Sequence, residues 1–305
     1  MLTYILHRLL WLFPVLFAVA TITFSLMHLV PGGPWDTDRK LPPAAEENLN
    51  RRYGLDKPLP EQFADYLADL AQGDLGVSYR ALNRPVSDII WDGARVSVTL
   101  GLLALIVAVG LGLPLGILAA LKQNTLVDYA SVGFVSIGAS VPSFVSGMLL
   151  LVVFSAELKW LPTSGWGSVE QAIMPVAALS ILPAAYIARV TRAGMLEVLQ
   201  QDYIRTARSK GLKEQVIVLR HVVRNGLIPV LTVIGPVAAA LATGSFIVES
   251  LFSIPGIGRS FVVSIGARDY GVIMGTTLFY TILVVMSNLI VDILYVFVDP
   301  RIRYR

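Results

Sequence analysis

Six long apolar runs recur along the chain, from Leu9 to Val30, Ser97 to Leu121, Ala130 to Ala156, Ile173 to Ala188, Ile228 to Val248 and Val272 to Val298, each bounded by charges or by glycine and proline. A bilayer hydrocarbon core about 30 Å thick is crossed by about 20 apolar residues in an α-helix. The pattern predicts an all-α integral membrane protein with six transmembrane helices. The fourth run is the shortest, with Pro175 near its start and Pro183 inside it. The first follows Arg8, but it is too long for a signal h-region and lacks a small-x-small cleavage site before Pro31-Gly32-Gly33, so it reads as a retained span. Pro14, Pro114, Pro142 and Pro236 also fall inside predicted spans, where each removes a backbone hydrogen bond and bends its helix. Gly112-Leu-Pro-Leu-Gly116 has the small-xxx-small spacing that lets a second helix approach closely.

Between the first two runs, Pro31 to Arg95 is too long for a simple turn and carries eleven of the twenty-one acidic residues, which predicts an ordered, helical extracytoplasmic cap. One helix is expected from Ala44 to Tyr53, with Glu47 and Arg51 paired at helical spacing and a stop at Gly54. A second opens at Pro60, carries Phe63, Tyr66, Leu67 and Leu70 on one stripe and ends at Gly73. A third, opened by Pro85, takes Val86, Ile89 and Ile90 into the second span. These stripes are expected to pack on the outer ends of the spans, which leaves room for a contact with a substrate-delivering protein.

Lysine and arginine near the spans set the orientation. With the N-terminus inside, the short inner segments hold Arg8, Lys122, Arg189, Arg192, Arg205, Arg208, Lys210, Lys213, Arg220, Arg224, Arg301, Arg303 and Arg305, against Lys159, Arg259 and Arg268 outside. Both termini are therefore expected in the cytoplasm. So is the stretch Asp202-Tyr-Ile-Arg-Thr-Ala-Arg-Ser-Lys-Gly211, which reads as a short helix built to dock into a soluble partner. Asp202 can cap its first turn, Arg208 and Lys210 suit the negative end of its dipole, and Gly211 fits a left-handed terminator. Tyr203, Ile204 and Ala207 share a face.

At 55% hydrophobic residues and a mean hydropathy of +0.69, the 305-residue chain lies outside the range of soluble domains. A net charge of +3 gives no footprint for nucleic acid, and the absence of cysteine excludes disulfides and thiolate chemistry. There is no Gly-x-x-x-x-Gly-Lys-Ser/Thr loop, so any ATP and Mg²⁺ belong to other subunits, and no cofactor or metal is expected here. His7, His28 and His221 have no metal-binding spacing, and no Gly-x-Ser-x-Gly elbow occurs. Ionisable groups within spans are functional suspects. Asp292 has Asn288 one turn away, and its expected structural partner is Arg189 or Arg192. Glu249, near the outer end of the fifth span, either contacts a substrate amine or braces the loop after it. So few mid-membrane carboxylates argue against an ion-coupled carrier.

Several stretches taken together resemble the permease subunits of bacterial ABC importers, in particular the B-type subunit of the oligopeptide, dipeptide and nickel group. They are Arg8-Leu-Leu with Val30-Pro-Gly-Gly-Pro34, Tyr53-Gly-Leu-Asp-Lys-Pro-Leu59, Gly73-Asp-Leu-Gly-Val-Ser78, Val141-Pro-Ser-Phe144, Trp160-Leu-Pro162, Phe252-Ser-Ile-Pro-Gly-Ile-Gly258, Arg268-Asp-Tyr270, and Val291-Asp-Ile-Leu-Tyr295 with Asp299-Pro-Arg-Ile-Arg303. Ala119-Ala-Leu-Lys-Gln-Asn-Thr125 and the Arg39-Lys-Leu-Pro-Pro43 region look closest to the oligopeptide branch. The family's cytoplasmic motif Glu-Ala-Ala-x-x-x-Gly corresponds here to Arg205-Thr206-Ala207, then three residues, then Gly211; the leading acid and the first alanine are replaced.

The resemblance implies a type I ABC importer permease: residues 1–30 as N-terminus and first span, 31–96 as extracytoplasmic helical loop, and 97–305 as a five-helix core with a coupling loop at 189–228. It implies pairing with a homologous second permease above two ATPases, and peptide delivered by a soluble extracytoplasmic binding protein. Asp202, Tyr203, Ile204, Arg205, Thr206, Ala207, Arg208, Lys210, Gly211 and Leu212 are the expected ATPase-coupling residues, with Tyr203, Ile204, Ala207 and Leu212 forming the buried contact and the cations also attracted to anionic lipid. Pro142, Ser143, Glu249, Asn288 and Asp292 are the expected pathway residues. Import of nickel, glutathione or another small solute, an ATP-independent secondary transporter, and a membrane scaffold are the competing readings.

Overall fold

The computed structural model describes the backbone of residues 2–35, 42–81 and 83–298, and side chains from residue 5 to residue 293 within those segments. The Arg39 to Leu41 stretch, the Tyr295 side chain, Asp299 to Arg303 and Arg305 lie outside the described residues.

The described residues form helices: α1 (Leu2–Leu29), α2 (Pro43–Arg52), α3 (Leu59–Ala71), α4 (Val86–Leu121), α5 (Leu126–Ser140), α6 (Ser143–Leu150, continued by a π-helical turn Leu151–Glu157), α7 (Val169–Leu199), α8 (Asp202–Ser209), α9 (Glu214–Ile217, continued by a π-helical turn Val218–Val222), α10 (Val223–Gly226), α11 (Ile228–Ala242), α12 (Phe246–Leu251), α13 (Ile257–Ala267) and α14 (Tyr270–Val298). Four stretches are long and apolar enough to cross a bilayer, Ile5–Leu29, Val86–Leu121, Val169–Leu199 and Tyr270–Ile293, and two bent pairs bring the number to six if each is one span. Every apolar run thus has its helix, with two corrections to continuity.

The predicted span from Ala130 to Ala156 breaks at Val141-Pro142, and its halves diverge by 103°. Pro142 lacks an N–H and pushes the residue before it out of the helical region; Val141 accordingly sits at φ −99°, ψ 117°. The predicted span from Ile228 to Val248 ends at Ala242. Gly244 takes φ +77°, and the Ser245 hydroxyl accepts a bond from the Val248 amide to start α12 as a separate helix.

The chain divides into two compact units, Met1–Ser97 with Pro255–Val285, and Val98–Ile254 with Met286–Arg305.

In the first unit the apolar stripes between the first two spans pack on neighbouring helices. Phe63, Tyr66 and Leu70 of α3 lie with Leu16, Val19, Phe24 and Met27 of α1 against Ala20, Met274 and Leu278, while Val86 and Ile90 are buried with Ile257 and Val272. Glu47 and Arg51 pair at 2.5 Å. A polar node closes this unit. Asp269 accepts hydrogen bonds from the Ser78 hydroxyl, the Tyr79 amide (3.0 Å) and the Val272 amide (3.4 Å), the last making it the N-cap of α14. Burial, and after it the Asp269 carboxylate, push the Tyr79 phenol up to about 12.

In the second unit α7 is the central helix, in contact with α5, α6, α10 and α11. A side chain at Gly112 or Gly116 would strike the α7 backbone, since a Cβ there would come within 2.7 Å of the Ala184 carbonyl and 2.5 Å of the Ala188 carbonyl. The small-xxx-small pattern of α4 is therefore a seam for α7.

Candidate functional site

The helix read from residues 202–211 forms as α8 and ends as a Schellman motif. The Gly211 amide bonds the Arg208 carbonyl at 2.9 Å, the Leu212 amide bonds the Ala207 carbonyl at 3.3 Å, and Gly211 itself has φ +77°. Its start differs from expectation. Gln201 is the cap residue and Asp202 the first helical one, so Asp202 contributes charge near the helix N-terminus and a long 3.5 Å pair with Arg205 rather than a side-chain cap.

The apolar face of α8 is also used differently. Ile204 is fully buried and Ala207 is 9% exposed, packed with Ala120, Met195, Ile217 and Val222 of the same chain. A buried side chain offers no surface to another subunit, so these two residues seat the helix. Tyr203 (43% exposed), Arg205, Thr206, Arg208, Lys210, Gly211 and Leu212 remain on the surface. Two further ties fix the seat: the Asn225 side-chain amide donates to the Tyr203 hydroxyl at 3.0 Å, and Arg208 forks onto Glu214 at 2.7 and 3.2 Å. The Glu214 hydrogen bond holds the Arg208 guanidinium further above its already high range.

Arg192 does not serve Asp292. Its guanidinium grips Asp128 of α5 with both arms, at 2.7 and 2.8 Å, and the Asn124 amide adds a third bond to the same carboxylate at 3.0 Å. Asp128 is 3% exposed, a degree of burial that an ionised carboxylate reaches only when paired and hydrogen-bonded. No local pattern marks this pair: Asp128 precedes the predicted run that starts at Ala130, and Arg192 follows the one that ends at Ala188. Arg189, the other expected partner of Asp292, makes no hydrogen bond or ion pair among the described residues.

The expected pathway residues are dispersed. A cavity of about 610 Å³ lies within the second unit, walled by α5, α6, α7 and α11 and the turn after α11; Ser143 lines it, with Leu182, Pro183, Tyr186, Arg189, Leu241 and Ser245 among its neighbours. Pro142 stands at the kink beside it and outside its lining. Glu249 is fully buried in α12 and presents no surface to a substrate amine. Asn288 is exposed and Asp292 half-buried on α14, and neither reaches the cavity. Tyr186 and Arg189 were missed as lining because helical periodicity shows which residues share a face but not which face borders a void.

Comparisons with known proteins fit this architecture. Residues 112–304 match the family described as binding-protein-dependent transport system inner membrane component, and residues 1–101 match its N-terminal membrane component. The dipeptide transport system permease protein DppB of Lactococcus lactis subsp. cremoris is 46% identical over 304 residues, 99% of this chain and 100% of that protein. DppB of Bacillus subtilis is 44% identical over 285 residues, 93% and 92% of the two chains. The oligopeptide transport system permease protein OppB of Escherichia coli K12 is 42% identical over 306 aligned residues, spanning both chains completely. Among solved structures, an amino acid ABC transporter superposes with a TM-score of 0.55 at 17% identity over 68% of this chain and 93% of that one. The MetNI methionine ABC transporter, in an inward-facing conformation, gives 0.57 at 19% identity over 69% and 96%. The dipeptide and oligopeptide relatives are similar to this chain to nearly the same degree, so the expected leaning toward the oligopeptide branch is not distinguished. The solved structures share the permease fold, and the family matches together extend over nearly all of the sequence: this chain belongs to the family of binding-protein-dependent transport system inner membrane components.

Proposed function

We propose that this chain is a membrane-spanning permease subunit of an ATP-driven importer of peptides. Both termini and α8 lie in the cytoplasm, and residues 31–96 face outward, as the lysine and arginine asymmetry favours. A homologous second permease completes the pathway, two ATPase subunits bind ATP and Mg²⁺, and a soluble binding protein delivers the peptide. The relatives' names support peptide as cargo.

The observation that carries the mechanism is α8. It is a single short helix whose apolar side is seated on its own chain and whose exposed side presents Tyr203, Thr206, Lys210 and Leu212. Closure of the ATPases on nucleotide would push this knob. Because Ile204 and Ala207 pack with Met195 of α7 and Ala120 of α4, the displacement passes into two spans rather than into a loop.

Reconstitution in proteoliposomes with the companion permease, the ATPases and the binding protein tests this. Peptide-loaded binding protein is expected to raise ATP turnover several-fold, with peptide accumulating only when ATP is present. Uphill uptake by this chain alone would refute the assignment.

A further inference from the structure

We infer that the cavity walled by α5, α6, α7 and α11 is a binding site for the carboxylate of the transported solute, with Arg189 as the group that grips it. The inference rests on the importer reading above. Arg189 and Arg192 are three residues apart on α7, a membrane-spanning helix. Arg192 is satisfied by Asp128, whereas Arg189 is exposed and has no hydrogen-bond or ion-pair partner among the described residues. Arg189 directly follows the apolar run Ile173 to Ala188, at its inner end, and a guanidinium, which cannot shed its proton, persists there beside water, a counter-charge or a ligand.

The cavity supplies the setting. Its volume of about 610 Å³ falls in the range of small-molecule sites. Leu182, Pro183 and Leu241 make its walls largely apolar, while Ser143, Tyr186 and Ser245 add hydroxyl-bearing side chains to the lining. Both breaks in the predicted spans adjoin it, through Ser143 after the Pro142 kink and through Gly244 and Ser245 after α11. Irregular backbone at membrane depth is tolerated only where it is buried in protein or lines a water-filled space, and these two breaks meet at the same void. The planar fork of arginine matches a carboxylate with two parallel hydrogen bonds. Tyr186, one helical turn from Arg189 and lining the same cavity, offers a flat flank to the chain behind that carboxylate.

Phenylglyoxal labelling of Arg189 in the assembled transporter, read by peptide mass spectrometry, tests the site without relying on transport. Trialanine is expected to slow labelling several-fold and trialanine amide to leave it unchanged, with Arg189→Gln lowering trialanine uptake about tenfold in the same preparation. Equal protection by both peptides, or by neither, would overturn the inference. So would an Arg189 already unreactive without peptide, which would mark a counter-charge supplied by another subunit. Wild-type transporter that fails to take up trialanine while Arg189 is still protected would sink the cargo reading and leave the site standing; active uptake without protection would do the reverse.

Discussion

Around Asp269 a carboxylate 3% exposed gathers a hydroxyl and two backbone amides, whereas α8 rests on two buried apolar side chains, one exposed side-chain hydrogen bond and an ion pair that both partners leave half in water. Hydrogen bonds to a buried charge are directional and strong, and losing any one leaves a desolvated group unpaired. Apolar contact is non-directional and tolerates sliding, and an exposed ion pair contributes little. The first arrangement holds one geometry. The second lets a helix be pushed, which is what a lever in the proposed importer requires.

The comparison can be broken from the strong end first. Arg192→Ala would leave Asp128 charged and unpaired in the interior, at a cost of about 3 to 5 kcal/mol; thermal unfolding in detergent should show a large drop, and an unchanged midpoint would deny that the pair is structural. Asp269→Ala removes a helix cap and takes away the acceptor of the Ser78 O–H, a loss of about 2 to 3 kcal/mol. Hydrogen exchange should quicken at residues 77–81 and 270–273 while α8 is unaffected.

Gly211→Leu places a side chain at φ +77°, which costs about 1 to 2 kcal/mol. The transporter should assemble yet lose at least tenfold in uptake, whereas Gly211→Asn, which tolerates the left-handed region, should retain most of it. Normal uptake in the leucine variant would remove α8 from the transmission path. Arg208→Ala should cost less than about 1 kcal/mol and matter less as salt is raised.

The smallest effect concerns pH. The folded-state pKa of Tyr79, about 12, is raised above the ordinary value of about 10. Its stabilising contribution is therefore complete below pH 10 and is lost as pH climbs from about 10 toward 12, because the unfolded chain releases the proton first. Phenolate absorbance should show this tyrosine titrating late, and Tyr79→Phe should remove one phenol from the late part of the curve, to which the buried Tyr66, also pushed up by desolvation, contributes as well.

Much of this was readable from residues alone. Helical spacing placed α2, α3 and α8, the apolar stripe of Phe63, Tyr66 and Leu70 found its packing face, and Gly211 ended its helix as its conformational freedom required. Pro142 was seen as a bend, but its size was not, because a proline in a span gives anything from a slight curve to the 103° turn found here, depending on what the neighbouring helices re-satisfy. The partner of Arg192 could not be read either, since Asp128 lies sixty-four positions away and only the approach of α5 to α7 brings the two together.

Length, hydropathy and turn chemistry by themselves placed the apolar helices and the stop at Gly211, because each depends on forces acting within one or two turns of chain. Pairings between distant residues were decided by the tertiary structure: which arginine is satisfied, which face of α8 is spent on its own chain, and where two broken helices leave a void. These depend on which surfaces packing brings within a few ångströms, and no local pattern encodes that.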